Sequence, residues 1–405
     1  MARRVTTPSI ASPVFPSVHA AVAALVLAGG SGCDSPPGER TDSAPGGRAI
    51  VPGSLADGVC AFTSVEPRED AIGFTHVARL GGEGPEPGPG FLTGASTISD
   101  IVRDAQGRYW IGQDTEIKVF GPDGEFVTTV GRVGEGPMEF GRVHPFHLDS
   151  EGHVHVYDLL KRISVIGEDF ELVREMRFAY PGITMAPLDD GVRYLFAAAI
   201  QAEGSAGLPL HVLDDGDIVQ SFGIVAGQDS VTDYFTAERW LSTNGSWDVF
   251  AVPFWDYVIE SWTEGGTRSG RLEGPDLDDG LRTPDGSWSL ENPPWNRVRD
   301  LKITRDGRLW VIVQIRQEDW RDHATEVTRP DGTTSLQLPL DDPAALYRSR
   351  LDVFDPVACT LLGSRWFDGE GVLSGFVDGA TVEVSELFYG RFGDPLLNVW
   401  DVELR

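Results

Sequence analysis

From Phe74 to the end of the chain, apolar and polar positions alternate with a period of two in short runs, and glycine-rich turns separate the runs. That alternation predicts strands; the 3.6-residue period of an amphipathic helix is not seen. Between Phe126 and Phe178 the order is a strand, a glycine-rich crossing at Gly131 to Gly141, two strands about a tight turn at Asp149 to Gly152, and two more about Gly167 to Phe170. The unit that begins at Val143 has its first turn glycine at Gly152, and the related element DAQGRYWI places Gly107 45 residues earlier. Four strands on that spacing match the period of a β-propeller blade, a sheet that buries both faces only against its neighbours.

The same unit can be followed along the chain. Blade one runs from Thr97 to Val130, with a second hairpin at Pro122 to Gly124, and blade two from Val143 to Phe178. Blade three takes a hairpin around Gly191 and another within Leu210 to Gly223; blade four takes RWLSTNGSWDVFAV and the run to Gly274; blade five opens with RVRDLKITRDGRLWVIV, turning at Gly307. The Asp-Gly and Asn-Gly pairs supply the positive φ that tight hairpins need. Residues 315–348 break the spacing and read as an insertion with its own hairpin, after which Leu351 to Gly363 resumes blade five. VLSGFVDGATVEVSEL and LLNVWDVEL supply three strands of blade six, and Phe74 to Leu80 is expected to be its fourth. A ring closed by a strand from the other end of the chain leaves no edge unpaired. The expected fold is therefore all-β, a six-bladed propeller over residues 59–405 closed by an N-terminal strand.

The first 58 residues carry no such pattern. Arg3 and Arg4 precede the apolar run Ala20 to Ala28, which is too short to span a hydrocarbon layer of ~30 Å as a helix but suits the core of an export signal over residues 1–32. Gly30, Ser31 and Gly32 before Cys33 resemble a bacterial lipoprotein cleavage site, with Gly30 where leucine is usual, so Cys33 is the expected lipidation site. Ordinary signal cleavage nearby is the alternative. Residues 33–58, rich in Pro, Gly, Ser and charge, read as a flexible tether. Export to the periplasm or cell envelope would permit a disulfide between the two remaining cysteines, Cys60 and Cys359, with two separate thiols as the alternative.

The net charge of −29, with only three lysines (Lys118, Lys161, Lys302) and scattered arginines, excludes nucleic acid and anionic lipid surfaces as partners. Membrane contact is expected only through the N-terminal lipid, and the protein is expected to be a monomer.

The repeats resemble NHL-type and TolB-like six-bladed propellers, above all bacterial exported or lipoprotein propellers with a G-x-G-E-G-P-x-E-F crossing. Gly131, Gly134, Glu135, Gly136, Pro137, Glu139 and Phe140 carry the resemblance, with the D-x-x-G turns and KRISVI at Lys161 to Ile166. It implies fold and export. Related propellers include binding scaffolds and enzymes, and fold analogy does not choose between them.

Candidate chemistry is sparse. No G-x-S-x-G, P-loop or C-x-x-C occurs, and the acidic clusters at Asp189-Asp190, Asp214 to Asp217 and Asp276 to Gly280 lack calcium-loop spacing and read as turns. His144, His147, His153 and His155 share one blade; zinc or copper binding competes there with plain inter-blade packing. Seven residues before each first-turn glycine, at the start of the innermost strand, stand Asp100, Pro145, Thr184, Glu238, Asp300 and Val372. Three of these six positions are carboxylates, so Asp100, Glu238 and Asp300 are the candidate ligands of a divalent cation such as calcium, or of a cationic ligand, in the central channel. Arg299 and His144, one residue earlier in their strands, offer instead a ring of salt bridges, and a one-residue register error would turn these side chains away. Two functions follow as expectations: an envelope binding scaffold whose propeller face takes a protein, peptide or glycan, without catalysis; or a metal-dependent, lactonase-like hydrolase or lyase acting in the channel.

Overall fold

The computed structural model describes residues 59–405 except 63–64, 94–97, 159–160, 181, 183, 224–236, 238, 245–247, 254–255, 276, 278–292, 329–333 and 340–341. The expected export signal, tether and Cys33 lie outside the described residues, as does Glu238.

Six four-stranded antiparallel meanders follow one another, each running outward from an innermost strand: Ile98–Arg103, Val143–Leu148, Thr184–Leu188, Arg239–Thr243, Arg297–Ile303 and Val372–Asp378. The sixth blade takes Glu383–Tyr389 and Pro395–Leu404 and is completed by Ile72–Leu80, paired antiparallel so that Ile72 lies opposite Leu404. The expected ring closure is thus present and begins two residues before Phe74. Val377 and Asp378 pair in parallel with Ile101 and Val102, joining blades six and one directly. The insertion in blade five occupies the interval between Leu309–Arg316 and Tyr347–Asp355, with its own hairpin, Thr325–Thr328 against Thr334–Gln337. It is anchored by Trp320, 1% exposed, packed with Leu338, Leu346, Tyr347 and Val372.

Packing lies between blades. Val102, Trp110, Ile117 and Val119 of blade one meet Phe140, Val143, Val154 and Val156 of blade two, and the other junctions repeat this arrangement. Tight approach of neighbouring blades fixes two glycines. Gly124, in the outer hairpin of blade one, has φ +85° and would bring a Cβ to 2.2 Å from the Arg79 carbonyl of the closing strand. Gly216 holds the same place in blade three, with φ +88° and the Arg177 carbonyl of blade two at 2.3 Å. Only glycine satisfies both conditions.

The glycine-rich crossing owes its shape to buried charge. Arg162, 1% exposed, pairs with Asp158 at 2.8 Å and donates to the carbonyls of Gly136 (2.9 Å) and Glu139, while Asp158 accepts from the backbone N–H of Gly141 and Arg142. At the surface Glu139 accepts from Arg132 and from Gly136 N–H. Arg132–Val133 and Glu139–Phe140 form a short parallel pair within the crossing, and the carbonyls of Gly136 and Glu139 are satisfied by one guanidinium.

Cys60 and Cys359 form a disulfide. Cys60 lies on the short strand Val59–Ala61, which adds in parallel to the outer strand Arg268–Glu273 of blade four, and Cys359 sits in the outer turn of blade five. The bond therefore staples blades four and five.

Candidate functional site

An innermost strand has no partner on its channel side, so its backbone groups there need others. Side chains of other blades supply them. Phe376 N–H donates to Asp300 Oδ2 at 2.8 Å, Ile303 N–H to Ser242 Oγ at 3.0 Å, and Leu148 N–H to Asp378 Oδ2 at 2.9 Å. Lys302 Nζ donates to the carbonyls of Val377 (2.7 Å) and Ala380 (3.2 Å), Thr243 to that of Pro187, and Thr184 to that of Arg239. Asp190 of blade three accepts from Ser150 N–H of blade two at 3.1 Å.

Inside this ring is a cavity of about 850 Å³ lined by all six blades. Four innermost strands carry a bulge, which re-aims side chains next to the channel. Pairing shifts between Ile98 and Ile101, across Phe146, across Arg299 and across Ser374, whereas blades three and four pair without a shift. Both Asp100 and Asp300 lie on the channel wall beside these shifts.

Asp300 accepts from Phe376 N–H through Oδ2 and from Leu301 N–H through Oδ1. Burial, reinforced by the Asp100 charge, outweighs those bonds and the Arg299 field and lifts its pKa to about 7. Asp100 is also raised, by burial first, although more than a third of its surface is open. The two observations agree once that surface is placed in the lumen, where area counts as open but surrounding protein limits hydration. Its hydrogen bond comes from its own backbone N–H. Asp378 behaves oppositely: burial alone would raise it, yet the bond to His147 Nδ1 (3.3 Å), the Lys302 charge and Leu148 N–H together bring it to about 2. Burial lowers the pKa of Lys302.

Among the described residues neither Arg299 nor His144 forms an ion pair with a carboxylate. Arg299 lies over the Trp240 ring, 5.0 Å from its centroid, with burial lowering its pKa to about 10. His144 stacks on Tyr157, and burial with the Arg142 charge takes it to about 4, which leaves it neutral. Each lies against an aromatic ring, and the Asp300 and Asp100 charges still act on Arg299. Asp100 and Asp300 both line the cavity, near enough for the Asp100 charge to act on Asp300, and Glu238 lies outside the described residues. Among the described residues no group of three His, Cys, Asp or Glu side chains is arranged to hold a metal ion.

The histidine cluster has a structural explanation. In blade one, Asp104 caps its turn by accepting from the N–H of Gln106 and Arg108, from Arg108 Nε, and from Trp110 Nε1 at 2.8 Å. In blade two, Asp149 accepts from the N–H of Glu151 and His153 and lies 3.1 Å from both His153 Nδ1 and His155 Nε2. His153 and His155 therefore occupy the places of Arg108 and Trp110. His155, lowered to about 4 by burial, also meets Tyr194 Oη at 2.9 Å. Aligning the two D-x-x-G turns, with the positions four and six residues after the aspartate, would have exposed this equivalence in the sequence. In blade five Thr304 replaces the aspartate, and the buried Trp310 Nε1 has no hydrogen-bond partner among the described residues.

A family model described as a 6-bladed beta-propeller matches residues 95–203. Among solved structures, a Bacteroides fragilis protein named "putative exported protein" is similar at 12% identity and TM-score 0.53, over 86% of this chain and 99% of that one. A virginiamycin B lyase from Staphylococcus aureus matches at 12% identity and TM-score 0.42, over 81% of this chain and 99% of that one. No curated protein matches. The chain is an all-β, six-bladed propeller. Its disulfide fits an extracytoplasmic protein.

Proposed function

We propose that this protein is an exported, non-catalytic binding propeller of the cell envelope, lipid-anchored at Cys33, that takes a protein, peptide or glycan ligand at its channel face. One observation carries the reading: Asp300, Lys302 and Asp378 of the channel wall are committed to holding blades together. Asp300, Lys302 and Asp378 each bond the backbone of another blade. Groups fixed in this way shape a wall; a catalytic acid or base must be free to exchange a proton with substrate. The scaffold reading also accords with the cavity, which lies in the range of ligand pockets and combines apolar and polar walls. Mass spectrometry of the mature N-terminus tests the anchor: a diacylglyceryl cysteine at position 33 supports it and an unmodified terminus elsewhere refutes it.

The second reading, a metal-dependent, lactonase-like hydrolase or lyase, draws on Asp300, whose pKa near 7 beside Asp100 would suit acid-base chemistry. The two readings separate on metal dependence. The melting temperature of the purified protein is expected to be the same with calcium as with chelator. A calcium-dependent rise that disappears in Asp100→Asn, Glu238→Gln and Asp300→Asn would overturn the scaffold reading in favour of the enzyme.

A further inference from the structure

Among the described residues the channel wall leaves one carboxylate unused by the fold. Asp300 has both oxygens occupied by backbone N–H groups, Asp378 holds Leu148 N–H and His147, Asp190 holds Ser150, and Asp149 holds its own turn and two histidines. At the rim Asp306 pairs with Arg308 at 3.3 Å. Asp100 accepts only from its own backbone, forms no ion pair among the described residues, and opens into the lumen. Arg299 of blade five, whose charge lowers the Asp100 pKa against burial, is turned onto Trp240 and forms no ion pair with Asp100, and Lys302 is held by the carbonyls of blade six. Around Asp100 the described lining residues include seven carboxylates against three Lys and Arg, which makes the lumen attractive to positive charge.

The rest of the wall narrows the kind of cation. Phe146, Met185, Trp240, Leu241 and Phe376 line the same cavity and are only partly buried, so large apolar surfaces face the lumen from blades two, three, four and six. A calcium ion needs six to eight oxygens. With Asp300 saturated, the described wall offers it a single uncommitted carboxylate. An organic cation needs just one carboxylate and gains from apolar and aromatic surface.

We propose that the channel binds an organic ammonium group, paired with Asp100 and covered by the apolar wall of Phe146, Met185, Trp240 and Phe376. The proposal rests on the non-catalytic binding reading and gives it a ligand chemistry, an ammonium group carried by a free amine or by a lysine side chain of a peptide. Asp100 is the residue that touches the ligand; Asp300 positions blade six and is not a contact.

The test is a thermal-shift titration of the full chain with phenethylamine, with Nα-acetyl-lysinamide as the peptide-borne arm, and with phenethyl alcohol as the uncharged isostere. At least one ammonium compound is expected to give a saturable rise in melting temperature, with phenethyl alcohol giving none. Whichever ammonium compound acts identifies the source. Asp100→Asn, whose melting temperature without ligand reports its folding, is expected to weaken the response at least tenfold. Equal responses to phenethylamine and phenethyl alcohol in the parent protein overturn the proposal without any variant, as does an undiminished response in Asp100→Asn or the lack of any response to the amines. A calcium response instead signals failure of the scaffold reading itself, so the two failures are distinguishable.

Discussion

Replacing Arg162 with alanine is expected to cost about 3–5 kcal/mol of folding stability, the range for removing one partner of a buried ion pair. The mutation leaves Asp158, with 0% of its side chain exposed, as an uncompensated charge and strips the crossing carbonyls of Gly136 and Glu139 of their donor. Chemical denaturation measures the loss. The double variant Arg162→Met, Asp158→Leu removes both charges and should lose less than the single alanine change, because it strands neither partner. A single-variant loss below about 1 kcal/mol, the scale of one ordinary hydrogen bond, would show that the guanidinium does not clamp the crossing.

The second large effect belongs to the disulfide. Cys60 and Cys359 are 299 positions apart, and opening a cross-link over so long a loop is expected to cost about 2–5 kcal/mol. Reduction, or Cys60→Ser with Cys359→Ser, should lower the melting temperature and release Val59–Ala61 from blade four, where it has only three residue pairs to hold it. Limited proteolysis near residue 60 would then appear in the reduced protein first. Thiol labelling of the unreduced, denatured protein that modified both cysteines would remove the basis of this expectation.

Much of the fold was legible because a propeller repeats its signals. The turn glycines Gly107, Gly152, Gly191 and Gly307 each mark the first hairpin of a blade, and the insertion expected at 315–348 occupies the interval from Gln317 to Leu346. Two features left no trace in the pattern. The strand Val59–Ala61 is too short to show a period, and its parallel pairing to blade four depends on a contact distant in sequence. The bulges at Arg299 and near Asp100 also have no residue signature, yet they decide which side chains face the channel. Counting back from the turn glycines found Asp100 and Asp300 as neighbours. It missed that Asp300 accepts the Phe376 N–H, because the need for that bond arises from an unpartnered strand edge that exists only once the ring is closed.

Closure of the ring also fixes an order of events. Ile72–Leu80 emerges from the ribosome before any strand of the other five meanders, yet its ladder partner is Pro395–Leu404, so it cannot pair until the last blade has been synthesised. Throughout that interval a strand containing Ile72, Ala78 and Leu80, all fully sheltered in the finished ring, remains an open template for pairing with other chains. Blades one to five, built from hairpins local in sequence, can each form as they appear, whereas the final step must bring the two ends of the propeller together. A chain truncated anywhere within blade six would therefore lose the partner of its earliest strand as well as its own last strands, and an exposed edge would remain at both ends.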